Sequence, residues 1–198
     1  METRDHLMLA DMILKDSKVS VNPVNGRAFS AGCIEPDINF LTYIKGHTYK
    51  GASGYVRNTI LKLFGKLSSP KDYFILGRAL HYLGDCFTFP HNPDFAGNLR
   101  AHTEYERRLH KHIMENKNTG TKHLCLSNSG GCVSFIENAH KKYQEIAGSM
   151  HNDWNYIKTV CMSVGCAVLN HEAEGRTGKS RILLNPDNRL LQCLFLLM

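Results

Sequence analysis

One short stretch of the chain, RALHYLGDCFTFPHNPDFAGNLRAHTEYE from Arg78 to Glu106, puts three histidines and two of its carboxylates at spacings that suit metal ligands. His81 and Asp85 stand four residues apart, and so do His102 and Glu106. On a helix, that interval puts both members of a pair on one face, one turn apart. His91 falls between the pairs, in a segment punctuated by Pro90 and Pro93. Imidazole nitrogens and carboxylate oxygens together form an ordinary shell for Zn²⁺ or another borderline divalent ion, and helical bundles build multi-metal sites from such pairs on facing helices. A single HxxxD pair is common on a solvated helix face. Two pairs joined by a segment that carries a third histidine point to a metal.

Apolar spacing and helix start signals predict the elements that must carry these residues. In SSPKD, Ser69 is placed to cap a helix, Pro70 to open it and Asp72 to favour its amino end. That helix should run from about Pro70 to Asp85, with Tyr73, Leu76, Leu80 and Leu83 in the core and His81 and Asp85 toward the site. Asn98 to Asn116 reads as the second ligand helix. Upstream, Leu7, Ala10, Ile13 and Leu14 recur at helical spacing between Asp5 and Lys15, with His6 at the start of that helix. Pro23 and Gly26 mark a loop between Val19 and Arg27. Proline breaks helices, so Asp37, just after Pro36, is expected on a turn or a short helix start. His47 follows Gly46 and precedes a Gly51/Gly54 loop, and Gly54 to Leu67 is amphipathic through Val56, Ile60, Leu63 and Leu67.

Beyond the ligand stretch, Leu126 to Cys132 reads as a Ser/Asn/Gly-rich loop, followed by helices from Val133 to Met150 and from Asp153 to Glu174. Trp154, Ile157, Val160, Cys161, Val164 and Val168 are the expected core of the last. His110 and His112, among Arg107, Arg108 and Lys111, are expected to be exposed. His140, His151 and His171 lack partners at ligand spacing and read as structural or surface residues. With no repeat, linker or strand pattern, the expected fold class is all-α, a single-domain helical bundle over residues 1–198.

Composition agrees with a globular enzyme-sized domain: 198 residues, 42% apolar and 21% charged. The 24 Lys and Arg exceed the 18 Asp and Glu by six, which suits phosphate-bearing substrates or peripheral contact with an anionic membrane surface. The basic residues are too scattered to mark a nucleic-acid binder. Eleven histidines are many for this length. Cys33, Cys86, Cys161, Cys166 and Cys193 sit among apolar neighbours and read as reduced core thiols, whereas Cys125 and Cys132 could close a loop in an oxidising compartment. METRDHLMLADMILKD lacks the apolar run of a signal peptide, so a cytoplasmic location is expected, or a secreted one if a leader was removed. The closing LLQCLFLLM is too short to span a bilayer and is expected to be a core helix end.

In chain order, Asp37, His47, His81, Asp85, His91, His102 and Glu106 resemble the ligand series of the zinc-dependent bacterial phospholipase C family, which shares its fold with the P1 nucleases. The resemblance rests on ALHYLGDCFTFPH followed by HTEYE, with weaker similarity reaching upstream through Pro36-Asp37 to His6. It implies a site of two or three zinc ions. Asp37, His47, His81 and Asp85 would hold one, His91, His102 and Glu106 a second, and His6 with Asp85 a third, so that Asp85 bridges. In the family the third ion also takes the amino group and carbonyl of an amino-terminal tryptophan, where this chain has Met1. An aromatic residue that follows the loop aspartate and meets choline is replaced by Ile38, while Phe40, Tyr43 and Tyr49 are candidates to line a pocket.

The activity implied by the resemblance is hydrolysis of a phosphodiester, most naturally a phospholipid, by zinc-activated water, with Asp37 orienting or deprotonating the water and Asp85 as the bridging ligand. Two alternatives stand beside it: a nuclease or nucleotide phosphatase on the same fold, and a non-catalytic metal-binding protein.

Overall fold

Seven α-helices and one short 3-10 turn, with no strand, make up the residues that the computed structural model describes, which are 1–39, 48–117 and 123–177. They are α1 (Thr3–Asp16), α2 (Pro23–Ile38), α3 (Tyr49–Leu63), α4 (Pro70–Cys86), the 3-10 turn Phe89–His91, α5 (Leu99–Asn116), α6 (Ser129–Ile146) and α7 (Met150–Thr177). The all-α expectation therefore holds. No helix among the described residues is long and apolar enough to cross a membrane.

α4 is the central helix. It starts where SSPKD predicts, with a full capping box: the Ser69 hydroxyl accepts from the Asp72 N–H, and the Asp72 carboxylate accepts from the Ser69 N–H. From Ala79 to Cys86 every residue is buried, because α2, α3 and α7 pack around it. His81 and Asp85 are thus polar groups on a helix buried all round, which is tolerable only if partners meet them.

α2 and α4 approach until their backbones touch. A Cβ at Gly32 would overlap the Phe74 carbonyl, and one at Gly77 would overlap the Phe29 carbonyl. Only two glycines facing each other permit that contact, and it brings the end of α2, with Asp37, alongside His81. Around this pair the core closes with Phe29, Ile60, Leu76, Leu83, Tyr143, Trp154 and Ile157, all fully buried.

Several boundaries differ from expectation. α2 runs on through Pro36 to Ile38, so Asp37 lies in the last turn of a helix rather than on a turn or helix start. Proline there forfeits one hydrogen bond near the helix end, and Pro36 is buried against the rest of the fold. α3 begins at Tyr49, capped by the Thr48 hydroxyl, and takes in Gly51 and Gly54, which had suggested a loop. It ends at Leu63, before Gly65 with φ +67, although Leu67 is still buried. α6 starts at Ser129 under an Asn128 cap, inside the stretch expected to be a loop. In α1, Leu9 takes the buried place that spacing had given to Leu7, which is 41% exposed. Cys125 and Cys132 are both free thiols, the first exposed and the second buried, so they close no loop. Cys33, Cys86, Cys161 and Cys166 are buried free thiols as expected. Cys193 and the LLQCLFLLM segment lie outside the described residues, as do His47, Phe40 and Tyr43.

Candidate metal centre

Asp85 sits at the middle of the expected ligands and turns its two oxygens to different partners. Oδ2 lies 3.2 Å from His81 Nε2, while Oδ1 lies 3.3 Å from His6 Nε2 and 3.9 Å from His91 Nε2. Beside it, the donor atoms of His6, Asp37 and His81 lie within 4.8 Å of one another, and so do those of His91, His102 and Glu106. The first group joins α1, α2 and α4; the second joins the 3-10 turn to α5. Of the residues singled out from the sequence and described here, all are brought together. His6 is not set apart with Asp85 alone: its ring stacks on that of His81 with centroids 3.8 Å apart.

The spacings fit a shared ion. Two ligands of one tetrahedral zinc, each at about 2.0–2.1 Å, stand about 3.3 Å apart. His81 Nε2 is 3.6 Å from Asp37 Oδ1, His91 Nε2 is 3.1 Å from Glu106 Oε1, and His102 Nε2 is 3.0 Å from the same oxygen. Two features separate this from a plain polar cluster. His6 Nε2 is buried and has no hydrogen-bond partner among the described residues, although it points at Asp85. His81 Nδ1 donates to the Cys33 carbonyl at 2.8 Å, which fixes the tautomer and turns Nε2 toward Asp37 and Asp85. The donor set therefore fits a divalent metal.

Protonation follows the same pattern. Burial, with His81 beside it, lowers the His6 imidazole to about 4 against the pull of Asp85, and burial lowers His91 as well. Burial would raise the Asp85 carboxyl, but the Met1 ammonium and the imidazoles of His91, His81 and His6 hold it well below the usual carboxylate range. Glu106 is held low in the same way, burial being outweighed by the Met1 ammonium, His102 and His91. The Met1 amino group donates to Asp85 Oδ1 at 2.9 Å and Glu106 Oε1 at 3.0 Å, and burial is outweighed by these two carboxylates, which raise it to about 11. Neutral imidazoles beside ionised carboxylates are the forms that bind metal.

Some supporting residues carry no signal in the sequence. The Thr3 hydroxyl donates to Asp37 Oδ2 at 2.8 Å, and the Cys33 contribution is main chain. Asn92, next to His91, donates to the Cys86 and Thr88 carbonyls and accepts from His140, whose ring stacks on Tyr49. Tyr49 does line a cavity, of about 150 Å³ with Val56, Leu83 and Cys86, but that cavity is separate from the cleft over the metal ligands. His140 is a buried structural residue, in keeping with its expected role. His110 is not the exposed residue its basic neighbours suggested, since its Nδ1 meets the buried Asp5 Oδ1 at 2.6 Å.

Over the ligands opens a cleft of about 340 Å³, walled by Asp37, Thr48, Asp85, Pro90, His91, Leu99, His102 and Glu106. Leu99 and Ile38, the latter next to Asp37, are 72% and 69% exposed.

No curated protein and no solved structure matches the chain significantly. The sequence profile of the zinc dependent phospholipase C family matches residues 5–152, which take in all of the clustered ligands and most of the helices that hold them. A largely buried set of imidazoles and carboxylates, spaced for shared ions and carried on helices, agrees with that match, and the chain belongs to the zinc dependent phospholipase C family.

Proposed function

We propose that the chain is a phosphodiester hydrolase of phospholipase C type, with His6, Asp37, His47, His81, Asp85, His91, His102 and Glu106 as ligands for two or three zinc ions. The observation that carries this is the convergence of four imidazole Nε2 atoms on Asp37, Asp85 and Glu106 at 3.0–3.9 Å, with no hydrogen-bond partner for the His6 nitrogen among the described residues. Zinc, when bound, supplies Lewis acidity that makes water a nucleophile at neutral pH and stabilises charge on phosphate oxygens. The chain's own part is to hold the reactants. Asp37 reaches the cleft, its Oδ2 tied by Thr3, and is placed to orient water and take its proton. Asp85 joins the two ligand groups, and the Met1 ammonium hydrogen-bonds to Asp85 and Glu106 across them.

A lipid substrate is favoured by the wall of the cleft. Met1, Pro90 and Leu99 line it, and no Phe, Tyr or Trp lines it among the described residues. A nuclease would need aromatic faces for bases to stack on.

Elemental mass spectrometry of protein purified without chelator, paired with a phosphodiester assay on p-nitrophenyl phosphorylcholine, tests the reading. Two or three zinc ions per chain, with turnover lost on chelation and restored by zinc, is the expected result. Less than one ion per chain even after zinc is added back, with no turnover of any phosphodiester, would overturn it.

A further inference from the structure

The tyrosine of the HTEYE segment faces away from the ligands, toward α7. Its hydroxyl donates to Asp153 Oδ2 at 2.8 Å. The same oxygen accepts from the Phe89 N–H at 3.0 Å, and Asp153 Oδ1 accepts from the Tyr143 hydroxyl at 2.8 Å. Asp153 is fully buried in the first turn of α7, where a negative charge meets the helix amino end favourably. It lies one residue past the stretch matched by the family profile.

Two of these three donors belong to the elements that carry ligands. Phe89 opens the 3-10 turn that ends in His91, and Tyr105 stands between His102 and Glu106 on α5. The turn and the helix touch the same carboxylate oxygen, so one buried atom sets where His91 lies relative to His102 and Glu106. Phe89, Phe95 and Tyr105 pack edge-to-face or tilted around the junction, with centroids 5.5–6.4 Å apart. Ring contacts keep water out, but they are less directional than the bonds to Asp153.

We propose that Asp153 is a positioning residue for the second ligand group, acting through Tyr105 on α5 and through the Phe89 backbone on the 3-10 turn. This rests on the metal-site reading above. Ligand constellations tolerate errors of only about 0.5 Å, and supporting bonds behind metal ligands are worth roughly 10–100-fold in affinity. The tie at Asp153 stands one step further back, so its effect should lie at the lower end.

Tyr143 supplies the control. Its hydroxyl meets the same carboxylate, but α6 carries no ligand, so Tyr143→Phe and Tyr105→Phe remove equivalent bonds and differ in whether a ligand helix is released. The experiment is zinc retention by the full chain under a competing chelator, with urea unfolding of each variant alongside. Tyr105→Phe should give up one zinc at about tenfold lower chelator concentration than wild type, while Tyr143→Phe follows wild type at comparable loss of stability. Full zinc loading of the wild type with identical retention in the two variants would overturn the positioning role alone. A wild type that holds less than one zinc would overturn the metal-site reading and this role with it.

Discussion

The imidazole of His81 is braced from behind by the backbone of Cys33, whose carbonyl accepts a hydrogen bond from Nδ1–H at 2.8 Å. That bond exists because α2 lies against α4 at the Gly32 and Gly77 contact, one turn before His81. Gly77→Ala should therefore act on the site as well as on the fold. The added methyl meets the Phe29 carbonyl, and relieving it costs about 1–3 kcal/mol. Urea unfolding should show that loss, and zinc affinity should fall with it as Asp37 and Cys33 move away from His81. Unchanged stability would mean that the two helices are free to slide apart.

Asp85 is the second point of attack. Asp85→Asn keeps the shape but replaces an oxygen with an amide nitrogen that cannot bind a metal and faces imidazole lone pairs. Activity should be abolished and zinc content should drop, with the helical circular dichroism signal retained. An unchanged metal count and rate would remove Asp85 from the centre of the site.

His110 and Asp5 form a buried contact that looks, by residue type, like a further metal site with Glu2. Their 2.6 Å separation is a hydrogen bond, shorter than two ligands around one zinc allow. His110→Ala should leave a buried carboxylate unpaired and cost about 1–3 kcal/mol in urea unfolding. The zinc count should stay at the wild-type value. Loss of a whole zinc equivalent would show that the pair is a ligand set after all.

Asp153 should give stability a distinctive pH dependence. Burial raises its carboxyl to about 6, against the bonds from Phe89, Tyr143 and Tyr105, from an ordinary 3.8. A raised carboxyl favours the folded state when protonated, so its contribution is complete below about pH 4 and is lost as pH rises through about 6. The shift corresponds to about 3 kcal/mol at most. Asp153→Asn can keep the bonds from Phe89 and Tyr105 to its oxygen and donate to Tyr143, without a charge to desolvate. Urea unfolding from pH 7 to 4.5 should show wild type gaining on Asp153→Asn as pH falls. A constant difference would mean that Asp153 titrates normally.

The sequence reveals the parts of the site that repeat along one helix. His81 with Asp85 and His102 with Glu106 are readable because four residues make about one turn, and the start of α4 is readable because SSPKD holds a complete cap. Contacts between elements are hidden. Asp5 meets His110 across 105 positions, and nothing in the basic run around His110 announces a buried acid. Pro36 and the Gly51/Gly54 pair mislead because local preference for a break is small beside tertiary packing, which carries α2 and α3 through them. The Cys33 carbonyl has no sequence identity at all, since every residue owns one.

A single helix in a bundle can open and close locally without disturbing the rest. α1 has lost that freedom. Thr3 is bonded to Asp37, Asp5 to His110, and His6 stacks on His81 while facing Asp85, so its first turns are anchored to α2, α4 and α5 at once. Local opening of α1 and disassembly of the ligand cluster are consequently one motion. Slow amide exchange there would report an assembled site, and any loss of ligand contacts would surface as faster exchange along α1.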